Sequence, residues 1–242
     1  MVISFSSTSQ RTLSVVLPIL VNYLYQHDRD TRQWRSIRSR ILNDLNTVSC
    51  GERFNGYSAL FILASNPQGI QLLINDNELR SKITAQGLNA VITQGKHKGQ
   101  SALYNLAGNT QGRQLLKDDA DLLGKVTKIG LNAVIAKGED KGKSALFFLA
   151  ANSEGLQLII DDAGLRGQIT ADGLNAYIPE GESEGFSALF GLACTAEGRQ
   201  LLINDNELRS KIIPHGLNAV IAKGEDKGKS ALFFIAANTE GQ

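Results

Sequence analysis

The chain has 242 residues, of which 42% are hydrophobic and 20% charged, a balance typical of a folded, soluble protein rather than a disordered one. A formal net charge of +1 provides no overall attraction to nucleic acid or to an anionic membrane. The two cysteines, Cys50 and Cys194, cannot form a disulfide framework in a chain of this length, so a reducing compartment is the simpler expectation.

We predict that the segment 1–44 forms a pair of helices that cap the chain. Apolar residues at helical spacing mark two stretches within it, 13–25 and 30–43. The first is too short and too polar to span a bilayer, which needs about 20 apolar residues, and it lacks the basic start of a signal peptide. The second has a basic face made of Arg32, Arg35, Arg38 and Arg40. This face could bind an acidic partner, but we favour a solvated outer surface on a terminal cap.

From residue 45 onward the sequence repeats with a constant period of 43 residues. The Ser-Ala-Leu core of the repeat recurs at Ser58, Ser101, Ser144, Ser187 and Ser230. Units therefore begin near residues 45, 88, 131, 174 and 217, and the array covers 45–242 with an incomplete last unit. Such a period is typical of stacked repeat proteins, in which no unit can bury its apolar face alone.

Each unit predicts about three helices, because its apolar residues are spaced three to four apart. In the unit that starts at residue 131, the first is the Leu-Asn-Ala-Val-Ile run at 131–135, with a glycine before it that allows a sharp bend. The second follows Ser144 as its N-cap, and the third follows the cap-type residue Asn152. An amphipathic stretch from Asp162 leads to the next unit, and its junction with the following helix stays open. The expected fold is an all-α solenoid with an N-terminal helical cap.

Two runs of the unit resemble known repeat families. Residues 142–152 read Gly-Lys-Ser-Ala-Leu-Phe-Phe-Leu-Ala-Ala-Asn and resemble the opening of ankyrin repeats, with Ser-Ala in place of Thr-Pro. Ankyrin units are shorter, and they carry a β-hairpin finger that this spacing is not expected to supply. Unit length and helix count are closer to armadillo repeats, and Leu-Asn-Ala-Val-Ile resembles the armadillo helix whose asparagine holds an extended peptide. The resemblance covers residues 45–242 and implies an α-solenoid interaction scaffold.

An asparagine recurs near the start of every unit, at Asn46, Asn89, Asn132, Asn175 and Asn218. If this column faces a groove, each amide binds one peptide group of a partner, which makes Asn89, Asn132 and Asn175 candidate binding residues. If it faces inward, each amide satisfies main-chain groups of the adjacent unit. We favour the inward interpretation, because joints between units must repeat whereas ligand contacts usually vary.

The loop before each cap serine differs in charge from unit to unit. One loop is basic, one is acidic, and the two loops 136–143 and 222–229 carry both signs with identical sequences. The candidate partner-binding residues are Lys96, His97 and Lys98 in the basic loop and Glu180, Glu182 and Glu184 in the acidic loop. Edge loops of repeat scaffolds often recognise partners, so these sites are expected in series; free drift of solvated loops is an equal alternative.

No catalytic, cofactor-binding or metal-binding pattern emerges, so none is expected. The run from Gly138 to Ser144 is one residue too short for a phosphate-binding loop, and two acids lie inside it. His27, His97 and His215 have no partner at metal-ligand spacing. Cys194 stands where sister units carry alanine, which favours a small buried residue.

The expected function is non-catalytic binding of a protein or an extended peptide in the cytoplasm, through the concave face and the variable loops. One alternative is a targeting or spacer region of a larger bacterial effector-like protein secreted into a host cytosol, because such proteins often carry repeats of this kind. Another is an enzyme built from His97, Glu182, Cys194 and His215, which occur in single units. Because the fifth unit stops before its third helix, a longer parent protein or self-association through the open C-terminal unit is also expected.

Overall fold

The computed structural model describes residues 38–39, 41–47, 57–95 and 97–237, and the statements below concern those residues. This part of the chain is all-α, as predicted, and beyond its helices it shows only two isolated β-bridges. None of its helices is both long enough and apolar enough to cross a membrane. Several residues singled out above lie outside the described ranges: the stretch 13–25, His27, Arg32, Arg35, Arg40, Cys50 and Lys96.

The helices recur with the period of the sequence, and residues 41–44 are also helical. In the structure we count a unit from its cap serine to the end of its fourth helix, so each Leu-Asn pair closes a unit. The first unit then contains α1 (Ala59–Ala64), α2 (Pro67–Asn75), α3 (Asn77–Ser81) and α4 (Ala85–Asn89). The second contains α5 (Ala102–Gly108), α6 (Thr110–Asp118), α7 (Ala120–Leu123) and α8 (Lys128–Asn132). The third contains α9 (Ala145–Ala150), α10 (Ser153–Asp161), α11 (Ala163–Gln168) and α12 (Ala171–Asn175). The rest are α13 (Ala188–Ala193), α14 (Ala196–Asn204), α15 (Asn206–Ser210), α16 (Pro214–Asn218) and α17 (Ala231–Ala237).

Each of the first four units has four helices rather than the predicted three, because the amphipathic stretch after the second helix forms two short helices, and α17 belongs to the fifth unit. Asp162 accepts a hydrogen bond from the Leu165 N–H at 2.8 Å and starts α11. Thr170 accepts one from the Gly173 N–H at 3.1 Å and starts α12. The stretch therefore neither fuses with the next helix nor bends at the glycine, since Gly173 lies inside α12.

The prediction that Leu-Asn-Ala-Val-Ile forms one helix is wrong. Helix α8 ends at Asn132, and Ala133 leaves helical geometry with a ψ of 116°. Ile135 instead pairs with the far side of a loop: its N–H donates to Lys143 O at 2.9 Å, and its carbonyl accepts from the Gly142 N–H at 2.8 Å. We call this loop a finger, and the same pair of hydrogen bonds closes fingers at 92–100, 135–143, 178–186 and 221–229.

A hairpin-like finger is thus present, against the expectation from unit length. Each finger contains two glycines with positive φ, for example Gly138 at 88° and Gly142 at 89°, and these let the chain reverse within a few residues. The isolated bridges Tyr177–Ser187 and Val220–Ser230 lie at the base of two fingers. Counting apolar residues at helical spacing could not detect this reversal, because it depends on main-chain conformation.

Equivalent helices of successive units pack against one another. The first helices α1, α5, α9, α13 and α17 touch in that order, and so do the second helices α2, α6, α10 and α14 and the fourth helices α4, α8, α12 and α16. The predicted stripe of Leu146, Leu149 and Ala150 is buried. The predicted cap Ser144 accepts from the Phe147 N–H at 3.1 Å. The core is therefore one continuous apolar row along the units.

Candidate functional site

The asparagine column joins successive units. Asn132 Oδ1 accepts from the Thr170 N–H at 3.0 Å, and its Nδ2 donates to Gln168 O at 2.8 Å and to Lys128 O at 2.7 Å. Asn46, Asn89 and Asn175 make equivalent bonds to the next unit. The candidate binding residues Asn89, Asn132 and Asn175 therefore use both amide atoms inside the chain, in the inward-facing arrangement.

A glycine of the next unit makes room for each of these amides. A Cβ atom on Gly173 would lie 2.1 Å from Asn132 Oδ1, and the same conflict would arise at Gly87, Gly130 and Gly216. The glycine before each of the four later Leu-Asn pairs is thus required by a close approach and not by a bend. The recurrence of Gly-Leu-Asn in the sequence is the signal that reflects this contact.

The fingers lie side by side along one edge. A Cβ on Gly142 would lie 2.7 Å from Ile178 Cα in the next finger, and the Ala222 N–H donates to Glu184 O at 3.1 Å. Charged side chains also bridge fingers: Lys141 Nζ lies 2.9 Å from Glu180 Oε1, and Lys223 Nζ lies 3.8 Å from Glu182 Oε1. The hydrogen bond from Lys141 holds the pKa of Glu180 below its usual range. Two of the three candidate glutamates are therefore partly neutralised by neighbouring fingers.

The remaining candidate finger residues differ in their surroundings. His97 Nδ1 lies 2.8 Å from Gln100 Oε1, and its ring meets the rings of Tyr57 and Phe61 edge-on at 5.9 and 5.8 Å between centroids. Lys98 is exposed, and Glu184 is half-buried. Within the described ranges, no ion pair involves either Lys98 or Glu184. These two charges are thus available to a partner.

A buried polar pair lies beside the first two described fingers, and the sequence interpretation missed it. Tyr104 is only 5% exposed, yet among the described residues neither its hydroxyl nor Asn105 Nδ2 has a hydrogen-bond partner of ordinary geometry. Burial raises the pKa of Tyr104, and the carboxylate of Asp140 raises it further, although no hydrogen bond of ordinary geometry joins the two groups. Unsatisfied buried groups of this kind cost stability and often mark a functional surface.

This polar pair is specific to one unit. The position of Tyr104 is occupied by Phe61, Phe147, Phe190 and Phe233 in the other units, and that of Asn105 by Ile62, Phe148, Gly191 and Phe234. Beside the pair, Gln100 Nε2 lies 3.4 Å from Asp140 Oδ2, and Lys143 Nζ lies 2.8 Å from Asp140 Oδ1. A position-by-position comparison of the apolar stripe would have revealed the two departures, because both introduce polar atoms into an apolar row.

The residues of the enzyme alternative do not converge. No hydrogen bond joins any two of His97, Glu182, Cys194 and His215 among the residues that the structure describes. Burial, with a smaller contribution from Asp226, raises the pKa of the Cys194 thiol to about 12, which disfavours the nucleophilic thiolate at neutral pH. In the same part of the chain, no group of three or more His, Cys, Asp or Glu side chains is arranged to hold a metal ion.

Comparisons of the chain with models of protein families, with curated proteins and with solved structures found no match. The features that bear on function are therefore the geometry of the fingers and of the first helices beside them.

Proposed function

We propose that the chain is an α-solenoid that binds a protein or an extended peptide without catalysis, through its fingers and the adjoining first helices. The observation that carries this proposal is a division between two kinds of position. Residues that are the same in every unit, such as Ser144 and Asn132, form hydrogen bonds inside the chain. Several positions that vary between units are exposed, such as Lys98 and Ala151, and the varying pair Tyr104 and Asn105 has buried polar atoms without partners among the described residues.

The contacts between equivalent helices support the solenoid. A unit that stacks on its neighbours through the same elements leaves its fingers on one edge, where variation does not disturb the core. The finger followed by a helix pair resembles the ankyrin arrangement, whereas the two further short helices and the length of the unit resemble armadillo repeats. The proposal therefore concerns an interaction scaffold and not membership of either family.

The unsatisfied hydroxyl of Tyr104 and amide of Asn105 support a peptide as the partner. A peptide main chain supplies both hydrogen-bond acceptors and donors at short intervals, so it can form the hydrogen bonds that this hydroxyl and this amide lack. An apolar ligand would leave them unpaired at a cost of about 1–3 kcal/mol each.

The test is the double substitution Tyr104→Phe with Asn105→Ile, which installs the residues of the first unit. We expect it to raise the free energy of unfolding by about 1–3 kcal/mol, because two unsatisfied buried groups disappear. Affinity should fall about tenfold for peptides selected on the unmodified full chain from a displayed library of unstructured peptides. Urea unfolding and isothermal titration calorimetry measure the two effects.

Lys117→Ala, an exposed change on α6, serves as the control and should alter neither quantity. A library that yields no binder to the full chain at low salt would contradict the proposal. The same holds for selected peptides that bind the double variant as tightly as the unmodified chain.

A further inference from the structure

A shallow cavity of about 480 Å³ lies between the 178–186 finger and the segment 214–220, which is α16 and the two residues after it. Its lining includes Tyr177, Glu184, Pro214, His215, Asn218 and Val220. The volume is within the range of sites that hold a small ligand or one large side chain. None of these residues belongs to the buried polar pair of Tyr104 and Asn105, so the cavity is a separate feature.

The side chains at this junction are smaller than those of the preceding one. Val220 and Ala222 stand where the preceding finger carries Tyr177 and Pro179. Val220 is 53% exposed, which leaves an apolar surface facing solvent at the cavity.

One wall of the cavity is acidic, in contrast to the other fingers. Glu184 occupies the position of Lys98, Lys141 and Lys227. Lys141 is paired with Glu180 of the next finger, and the position equivalent to Glu180 at this junction is Lys223. Lys223 instead lies 3.8 Å from Glu182, and Glu184 has no ion-pair partner among the described residues. An unpaired carboxylate in a half-buried position is complemented by a cation from a partner.

The cavity also presents aromatic surface beside this carboxylate. The rings of Tyr177 and His215 meet at 5.1 Å between centroids with a 60° tilt. A guanidinium group is planar, stacks on aromatic rings and binds a carboxylate through two parallel hydrogen bonds, which an ammonium group cannot do. Its methylene stem suits the apolar surface of Val220 and Pro214.

We propose that this cavity binds an arginine side chain of the partner, with the guanidinium against Glu184 and the methylenes over Val220 and Pro214. The inference rests on the proposed function and deepens it, because it names one residue type that a bound peptide presents.

The experiment uses the ¹⁵N-labelled full chain, with N-acetyl-argininamide as probe and N-acetyl-citrullinamide as its neutral isostere. We expect saturable shifts of the amide signals of Glu184, Gly185, Ala219 and Val220, with about tenfold tighter binding of the arginine probe. Glu184→Lys and Val220→Tyr install residues that equivalent positions of the chain already carry, so the fold should tolerate them. Each should weaken arginine binding by about tenfold, the first by reversing the charge and the second by filling the cavity.

Equal binding of both probes, or arginine binding that survives both substitutions, would overturn the arginine site. If library peptides bind the unmodified chain and the Glu184→Lys variant equally well, the arginine site fails while the proposed function stands. If the arginine probe binds as expected but no library peptide does, the proposed function fails and the cavity remains an arginine site.

Discussion

At the scale of single residues, Asn132 and its equivalents complete the hydrogen bonding of two short helices in the next unit. Helix α11 ends with an unpaired carbonyl at Gln168, and α12 starts with an unpaired N–H at its cap, Thr170. One amide from the preceding unit satisfies both groups. Because the amide approaches Gly173 so closely, asparagine and glycine act as a pair across each joint.

Gly173→Ala should therefore be costly. Its Cβ would displace the Asn132 amide, so we expect the free energy of unfolding to fall by about 2–3 kcal/mol. Gly167→Ala is the matched control in α11, because a Cβ there meets nothing within 4 Å. It should leave stability unchanged or raise it by up to about 1 kcal/mol, since alanine suits a helix better than glycine. Equal effects of the two substitutions in urea unfolding would contradict this role for Gly173.

At the scale of elements, aspartates both cap the short third helices and connect them to the preceding unit. Asp205 accepts from the Leu208 N–H at 2.9 Å at the start of α15, and its other oxygen lies 2.9 Å from Arg166 Nε of α11. Asp119 is held in the same way by Leu122 and by Arg80. Helices this short are marginal in isolation, so such caps and bridges determine where they form.

These contacts predict acid sensitivity. The hydrogen bond from the Leu208 N–H and the charge of Arg166 lower the pKa of Asp205. Burial acts to raise the pKa of Asp119, but the Leu122 N–H and Arg80 outweigh it, so this pKa is lowered as well. A carboxyl whose pKa is lower in the folded state stabilises the fold above its unfolded pKa of about 3.9 and loses that effect as the pH falls through the folded value. The free energy of unfolding should thus decrease below about pH 4.

Asp205→Asn separates the charge from the cap, because an asparagine oxygen can still accept from the Leu208 N–H. We expect a loss of about 0.5–1 kcal/mol at pH 7 and a shallower decline in acid. Urea unfolding of both proteins between pH 7 and pH 2.5 gives the two curves. Parallel curves over the acid range would show that the Asp205 charge does not contribute.

At the scale of the whole molecule, the edge of fingers depends on main-chain packing more than on charge. The ion pairs between fingers are largely exposed, and pairs of that kind contribute little. In contrast, Gly142 lies directly against the main chain of the next finger. A continuous row of fingers therefore results from repeated glycine contacts between units.

A comparison of two glycines in one finger tests this view. Gly138 and Gly142 have nearly the same positive φ, 88° and 89°, but a Cβ on Gly138 meets nothing within 4 Å. Gly138→Ala should cost only the conformational strain, about 1–2 kcal/mol. Gly142→Ala should cost at least about 1 kcal/mol more, because it also pushes away the finger at 178–186.

Native-state hydrogen exchange should show the same difference along the chain. Gly142→Ala should reduce protection at the Ile178 and Gly185 amides of the next finger, whereas Gly138→Ala should not. Equal costs and equal exchange patterns for the two variants would mean that the fingers do not support one another.

Features that depend on neighbours in the chain were readable from the sequence. The buried leucine stripe and the serine caps follow from residues three or four positions apart, and these predictions are confirmed. The finger conformation and the number of helices could not be predicted from the sequence. The fingers depend on glycine φ angles, and the extra helix depends on caps at both Asp162 and Thr170; the spacing of apolar residues reveals neither. The candidate glutamates were visible as a set, but their different surroundings were not.

What the sequence could not supply lies between units. Asn132 with Gly173, Lys141 with Glu180 and Gln100 with Asp140 are pairs about 40 residues apart, and their contacts arise only when the units stack. When the units stack, the identical residues make the contacts between units. Lys98, Glu184 and the pair of Tyr104 and Asn105 do not take part in those repeated contacts. The physical reason is that the repeated side chains already form hydrogen bonds and close contacts between units. The residues that depart from the repeat are not needed for those contacts and can therefore bind a partner.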